Sequence, residues 1–92
     1  MIKTFSRADT EVLFAGERVA RFVNIERVAM RQLAILNRAQ TPSDLRIPPK
    51  NCLEALVGNR TGQYSITIND QFRICFRFER GDAYDVEIVD YH

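Results

Sequence analysis

The chain ends Asp90-Tyr91-His92, and His92 is its only histidine. A carboxylate, a phenol, an imidazole and a terminal carboxylate at the end of a strand-like run form a compact set of proton donors and acceptors. An imidazole titrates near neutrality, which suits acid/base work. Upstream, Asn69-Asp70-Gln71-Phe72-Arg73-Ile74-Cys75-Phe76 opens on a turn signal and continues as an alternating strand carrying Arg73 and Arg77 on its non-aromatic side. A guanidinium on a partly shielded sheet surface is an oxyanion clamp. These parts suit RNA cleavage by attack of a 2′-hydroxyl on its own phosphate. That reaction needs a base for the hydroxyl, an acid for the departing 5′-oxygen, and a cation for the charged transition state. Each residue also has a plainer reading. Arg73 can pair with Glu87 or Asp85 across a sheet, Tyr91 can fill a groove at an edge, and His92 can be a frayed end.

Placing these groups together requires a sheet. Residues 2–5 read as a first strand. Ser6 or Asp9 can cap a short helix running to about Phe14, which Gly16 ends. Residues 15–24 are the least regular stretch and read as a mobile loop. Asn24 can cap the clearest helix, residues 25–39, whose apolar stripe is Ile25, Val28, Ala29, Leu33 and Leu36. Arg27, Arg31 and Arg38 lie away from much of that stripe, as a solvated face or as cations for RNA or an acidic partner. Pro42, Pro48 and Pro49 make residues 41–50 a loop with a possible helical turn at Ser43-Asp44-Leu45.

The periodicity then falls to two. Residues 52–57, 63–68, 71–78 and 83–90 read as strands, separated by turn signals that include Asn69-Asp70 and Arg80-Gly81-Asp82. One face of the third of these strands carries Phe72, Ile74, Phe76 and Phe78. The order predicts an α+β fold: a curved antiparallel sheet with the N-terminal helices packed on its aromatic face.

Composition narrows the function classes. Ninety-two residues with 46% hydrophobic content fit one folded domain spanning 1–92. A net charge of +1 is not the signature of a strongly basic nucleic-acid binder. Only Lys3 and Lys50 are lysines, so eleven of the thirteen basic residues are arginine, whose planar fork suits phosphate or carboxylate. No apolar run approaches membrane-spanning length, and the N-terminus lacks the apolar core of a signal peptide, so a cytoplasmic protein with no membrane partner is expected. Cys52 and Cys75 have no metal spacing and read as buried, reduced thiols. No Walker loop, GxSxG, HExxH or dinucleotide fingerprint occurs, and no metal or cofactor is expected.

Several segments in order carry a resemblance. Ile2-Lys3-Thr4-Phe5, Leu56-Val57-Gly58-Asn59-Arg60, Ser65-Ile66, the run from Asn69 to Phe76, and Val86-Glu87-Ile88-Val89-Asp90-Tyr91-His92 resemble HigB-type toxins of the RelE/ParE superfamily, the plasmid maintenance killer group. The resemblance covers essentially the whole chain. It implies a RelE/ParE-like toxin that enters the ribosomal A site and cleaves mRNA without metal. It also implies a HigA-like helix-turn-helix antitoxin, through which alone the toxin would meet DNA. Carried over by position, Arg73 would stabilise the phosphate, Asp90 and His92 would transfer or organise protons, and Tyr91 would stack or position. Arg60 and Arg77 are candidates for RNA phosphates, and Asn69 and Gln71 for a base edge. Phe72 stands where the family usually has tryptophan. Some members place a histidine and a lysine in the stretch that here is residues 53–57, where this chain has Glu54 and Val57. Two other readings use the same scaffold: a non-enzymatic inhibitor of the ParE kind that binds gyrase, and an attenuated toxin acting as antitoxin co-repressor. The terminal Asp-Tyr-His favours the nuclease, while Glu54 and Val57 keep the attenuated toxin in view.

Overall fold

A computed structural model describes residues 1–91. Strands β1 (Glu54–Ala55), β2 (Tyr64–Thr67), β3 (Phe72–Glu79) and β4 (Asp82–Asp90) form an antiparallel meander in that order. Helices α1 (Ala8–Phe14) and α2 (Glu26–Arg38) cover one face. The sheet alternates as expected. Ile66, Ile74, Phe76, Val86 and Ile88 are fully buried beneath Leu13, Phe22, Leu33 and Leu36. Burying each such side chain contributes roughly 1.5–3 kcal/mol. Arg27, Arg31 and Arg38 are exposed. Among the described residues no helix is long and apolar enough to cross a membrane.

Several local expectations change. Residues 2–5 make isolated parallel bridges, Ile2 to Ala83 and Phe5 to Val86, in place of a regular strand. The reason is a bulge in β4: register against β3 shifts between Cys75 and Arg77, and Asp85 takes φ 55°. The N-terminal segment still covers the outer edge of β4. Thr10 of α1 continues that cover, accepting the Ile88 N–H at 3.0 Å on a fully buried hydroxyl. The strand expected over 52–57 is only Glu54–Ala55, because the 3₁₀ turns Pro49–Asn51 and Gly58–Arg60 confine it. Neither helix has a side-chain cap: the N-cap positions are Arg7 and Ile25, not Ser6, Asp9 or Asn24. The stretch 15–24 is irregular but anchored. Its 3₁₀ turn Ala20–Phe22 drives Phe22 fully into the core, edge-on to Phe72 at 6.0 Å between ring centroids.

Loop 41–52 is fixed from two sides. Asp44 accepts the backbone N–H groups of Gln40 and Thr41 at 2.9 and 3.1 Å, starting the 3₁₀ turn Pro42–Arg46. A buried amide pair fixes the other end. Gln32 donates to Asn51 Oδ1 and to the Thr67 carbonyl, both at 2.9 Å, while Asn51 donates to the Leu45 and Ile47 carbonyls at 3.2 and 3.4 Å. Gln32 and Asn51 are 5% and 2% exposed, so these bonds replace water.

Asn51→Ala removes one of the two acceptors of the Gln32 amide and the donor to two carbonyls, and we expect a loss of about 1–3 kcal/mol. The measurement is the urea midpoint at unchanged slope; an unmoved midpoint contradicts the bracing role.

Two carboxyls predict the acid limb. The backbone donors of Gln40 and Thr41 lower the Asp44 pKa below 3.8. Asp9 is also lowered: burial pushes it up, but its hydrogen bonds to Arg7 and Arg21 prevail. A folded pKa below the unfolded one adds stability that is complete above the unfolded value and lost as pH falls through the folded value. Unfolding free energy should therefore decline below about pH 4–5. Asp44→Asn should be less stable than wild type at pH 7, with the difference shrinking toward pH 3. A constant difference across that range rejects the assignment.

Candidate active site

The β3 alternation that buries Phe72, Ile74 and Phe76 turns Arg73 to the face away from the helices. There its guanidinium is gripped from two strands and a loop. Nε donates to Ser65 Oγ at 2.8 Å and Nη1 to Thr67 Oγ1 at 2.9 Å. Nη2 donates to the Cys52 carbonyl at 2.6 Å and pairs with Glu54 at 3.0 Å. Thr67 sits directly opposite Arg73 in the β2–β3 register. The Cys52 carbonyl is presented by a left-handed backbone, φ 49°, just after Asn51. Tyr91 lies under the guanidinium, 5.6 Å from ring centroid to Cζ, a cation–π distance. The Arg73 side chain is only 12% exposed whereas Glu54 is 59% exposed. The cation is thus held by neutral oxygens, and its one carboxylate partner is free to swing into solvent.

Arg73 and Tyr91 line a cavity of about 420 Å³ together with Lys50, Cys52, Thr67, Asn69 and Asp70. Asn69 shapes its rim: Oδ1 accepts the N–H groups of Gln71 and Phe72 at 2.9 and 2.8 Å, an Asx turn. Gln71 tethers the end of β4, its side chain donating to Asp90 at 3.1 Å and its carbonyl accepting the Tyr91 N–H at 2.6 Å. Asp90 pairs with Phe72 in the register. His92 lies outside the described residues.

Arg60 and Arg77 share the Arg73 face but do not line this cavity. Arg60 pairs with Glu87 at 2.7 Å and donates to Gln63 at 2.9 Å. The Glu87 bond raises its pKa further. Arg77 is held by Asp85 at 2.9 Å and by Glu79, which raise its pKa, and it stacks over Tyr84 at 5.3 Å. So the acids considered as partners for Arg73, Glu87 and Asp85, serve Arg60 and Arg77 instead. The bulge at Asp85 accounts for the second pairing, since it displaces that residue from the ladder.

Sequence reasoning missed Lys50, Ser65, Thr67 and Asp70 as parts of the site. Ser65 and Thr67 carried a usable signal: they alternate with Tyr64, Ile66 and Ile68, which puts them on the Arg73 face. Lys50 carried none, because its position depends on a 3₁₀ turn. Among the described residues no three or more His, Cys, Asp or Glu side chains gather as metal ligands.

A four-stranded meander backed by two helices, with a clamped arginine on its open face, is the architecture of a small RelE-like domain. Residues 14–92 match the family described as RelE-like toxin of type II toxin-antitoxin system HigB, and the chain belongs to that family. It is 48% identical over 60 residues to Toxin HigB-1 of Vibrio cholerae serotype O1, covering 65% of this chain and 63% of the relative. It is 48% identical over 40 residues to Endoribonuclease HigB of Proteus vulgaris, 44% of each chain. An uncharacterized protein of Haemophilus influenzae is 34% identical over 60 residues, 65% of this chain and 59% of the relative. The chain thus matches less than two thirds of the length of each.

The two thiols, both expected to be buried, differ. Cys75 is fully buried, and burial raises its pKa; Cys52 is exposed, because the left-handed turn ends the 3₁₀ segment at the cavity wall. A thiol reagent at neutral pH should therefore modify one cysteine per folded chain and the second only on unfolding. Rapid modification of both in the folded protein contradicts the burial of Cys75.

Proposed function

We propose that this chain is a ribosome-dependent mRNA endoribonuclease, the toxin of a type II pair, with residues 1–92 acting as one toxin domain. The observation that carries the reading is the Arg73 clamp: a cation immobilised by Ser65, Thr67 and the Cys52 carbonyl, beside Tyr91, at the wall of a cavity. Membership of the HigB family and the relative named Endoribonuclease HigB support it.

In this mechanism a base takes the proton of a 2′-hydroxyl, and the oxygen attacks the adjacent phosphorus. Charge accumulates on the non-bridging oxygens, where Arg73 stabilises it; one such donor contributes roughly 2.7–4 kcal/mol in other enzymes. The phosphorus–5′-oxygen bond breaks as an acid protonates the leaving oxygen. The products are a 2′,3′-cyclic phosphate and a 5′-hydroxyl. Asp90 and His92 provide or organise the proton transfers, and Tyr91 stacks on a base or positions the backbone. Glu54 is displaced from Nη2 by the incoming phosphate and is then near enough to act as the base. Asn69 offers its amide at the cavity rim, while Gln71 holds the Asp90-Tyr91 segment in place. Arg60 and Arg77 meet RNA phosphates only by exchanging Glu87 and Asp85 for them, which makes them peripheral contacts.

The low net charge fits a toxin whose affinity for RNA is modest without the ribosome. Its antitoxin is a HigA-like helix-turn-helix protein, its contact with DNA is through that antitoxin, and its site of action is the cytoplasm. One observation favours a second reading, the attenuated toxin retained as co-repressor: Glu54 pairs with Arg73 in the unbound protein. Nothing in the geometry favours gyrase inhibition.

The test is in vitro translation with primer extension and analysis of the product ends. We expect ribosome-dependent cuts ending in cyclic phosphates, with strong impairment on deleting His92 or on His92→Gln. Thr67→Val, which leaves one arm of a mostly buried guanidinium without its acceptor, should lower the cleavage rate and also cost about 1–3 kcal/mol of stability. Cleavage absent altogether supports the attenuated toxin, and 3′-hydroxyl ends reject attack by the 2′-oxygen.

A further inference from the structure

A second groove adjoins the Arg73 cavity and is not used by the mechanism above. It has a volume of about 590 Å³ and runs between α2 and the segment 48–51. Val28, Ile35, Pro48 and Ile68 supply apolar walls, and Arg31 and Lys50 supply the charge. No acidic side chain lines it. Lys50 and Thr67 belong to the linings of both cavities, so the two adjoin. Both volumes fall in the range of roughly 300–1,000 Å³ typical of small-molecule sites. Arg73 lines one of these neighbouring cavities, Arg31 the other, and Lys50 both.

Their states differ in a useful way. Arg73 is fixed and has a carboxylate partner. Lys50 and Arg31 are exposed, and among the described residues neither is in an ion pair. Most other cations near the sheet's open face are engaged: Arg60 with Glu87, and Arg77 with Asp85 and Glu79. An unpaired pair of cations over an apolar floor suits a chain that repeats an anion and a flat, weakly polar unit. Single-stranded RNA has that chemistry: phosphates meet the cations, and a base or ribose covers the apolar wall.

We propose that this groove binds the stretch of RNA flanking the scissile phosphate, with Lys50 and Arg31 contacting successive backbone phosphates. The proposal rests on the nuclease reading for the placement of the scissile phosphate at Arg73. It also assigns to Lys50 a cation's place near the cleavage site, which exposed Val57 cannot fill.

The test uses a 2′-O-methylated single-stranded RNA, which lacks the attacking hydroxyl and so reports binding alone, together with cleavage in the translation assay. Lys50→Glu and Arg31→Glu should each bind several-fold more weakly. Each should also reduce the slope of log affinity against log salt by about 0.7, the value for one phosphate contact on a single strand. Lys50→Arg and Arg31→Lys should bind as wild type does. Arg38→Glu makes the same charge change on α2 outside the groove and should bind nearly normally. Cleavage should fall in Lys50→Glu and Arg31→Glu alongside binding. If wild type binds this RNA with the predicted Lys50 and Arg31 dependence but never cleaves, the groove assignment holds and the nuclease reading fails. If wild type cleaves and both reversed variants bind and cleave as it does, the groove assignment fails alone. Loss of antitoxin binding in those variants, with RNA binding intact, would also overturn it and make the groove a protein-docking surface.

Discussion

A guanidinium that is nearly nine-tenths buried must be surrounded by acceptors, because an uncompensated charge taken from water costs several kcal/mol. Arg73 meets that requirement with oxygens drawn from Cys52, Glu54, Ser65 and Thr67, and with the face of Tyr91. The need for these partners ties β1, β2, β3 and the end of β4 to one side chain. It also leaves the cation rigid, with its orientation set before any substrate arrives. Such preorganisation is what electrostatic stabilisation of a developing charge requires, since no reorganisation is then needed at the moment of reaction.

The clamp depends in turn on the helical layer. The Cys52 carbonyl is where it is because Asn51 is held by Gln32 of α2 and by the carbonyls of Leu45 and Ile47. Gln32 also accepts the constraint of the sheet, through its bond to the Thr67 carbonyl. Thr67 therefore faces two ways: its backbone is fastened to the helix and its hydroxyl to the arginine. A buried polar contact on one face of the sheet thereby sets geometry on the other. Glu54 is the one partner of Arg73 that stands mostly in solvent, and its pairing is correspondingly weak. In the proposed mechanism a phosphate replaces it and leaves the neutral oxygens beneath in place.

What could be read in the sequence followed from short-range periodicity. The alternation in 71–78 gives both the core face and the placement of Arg73, and the stripe of α2 gives the covering helix. The Asn69-Asp70 signal marks the turn, and its mechanism is visible in the Asn69 side-chain oxygen Oδ1 accepting two backbone N–H groups. The features that were not legible depend on backbone departures from regular elements. The bulge at Asp85 reassigns its carboxylate to Arg77, and the left-handed turn at Cys52 exposes a thiol that looked buried. Lys50 reaches the cavity only because 3₁₀ turns interrupt what read as a proline-rich loop. The grip on Arg73 joins Ser65 and Thr67, whose face the alternation gives, to Cys52 and Glu54, which lie 21 and 19 positions away and beyond the reach of any local pattern.

The central claim is that Arg73 supplies the charge stabilisation for phosphodiester cleavage. Single-turnover cleavage of ribosome-bound mRNA by Arg73→Ala tests it most directly, with circular dichroism and antitoxin binding measured on the same preparation. The account predicts a rate lower by about 10²–10³-fold in a protein that remains folded and binds its antitoxin. Cleavage by that variant at the wild-type rate would contradict it.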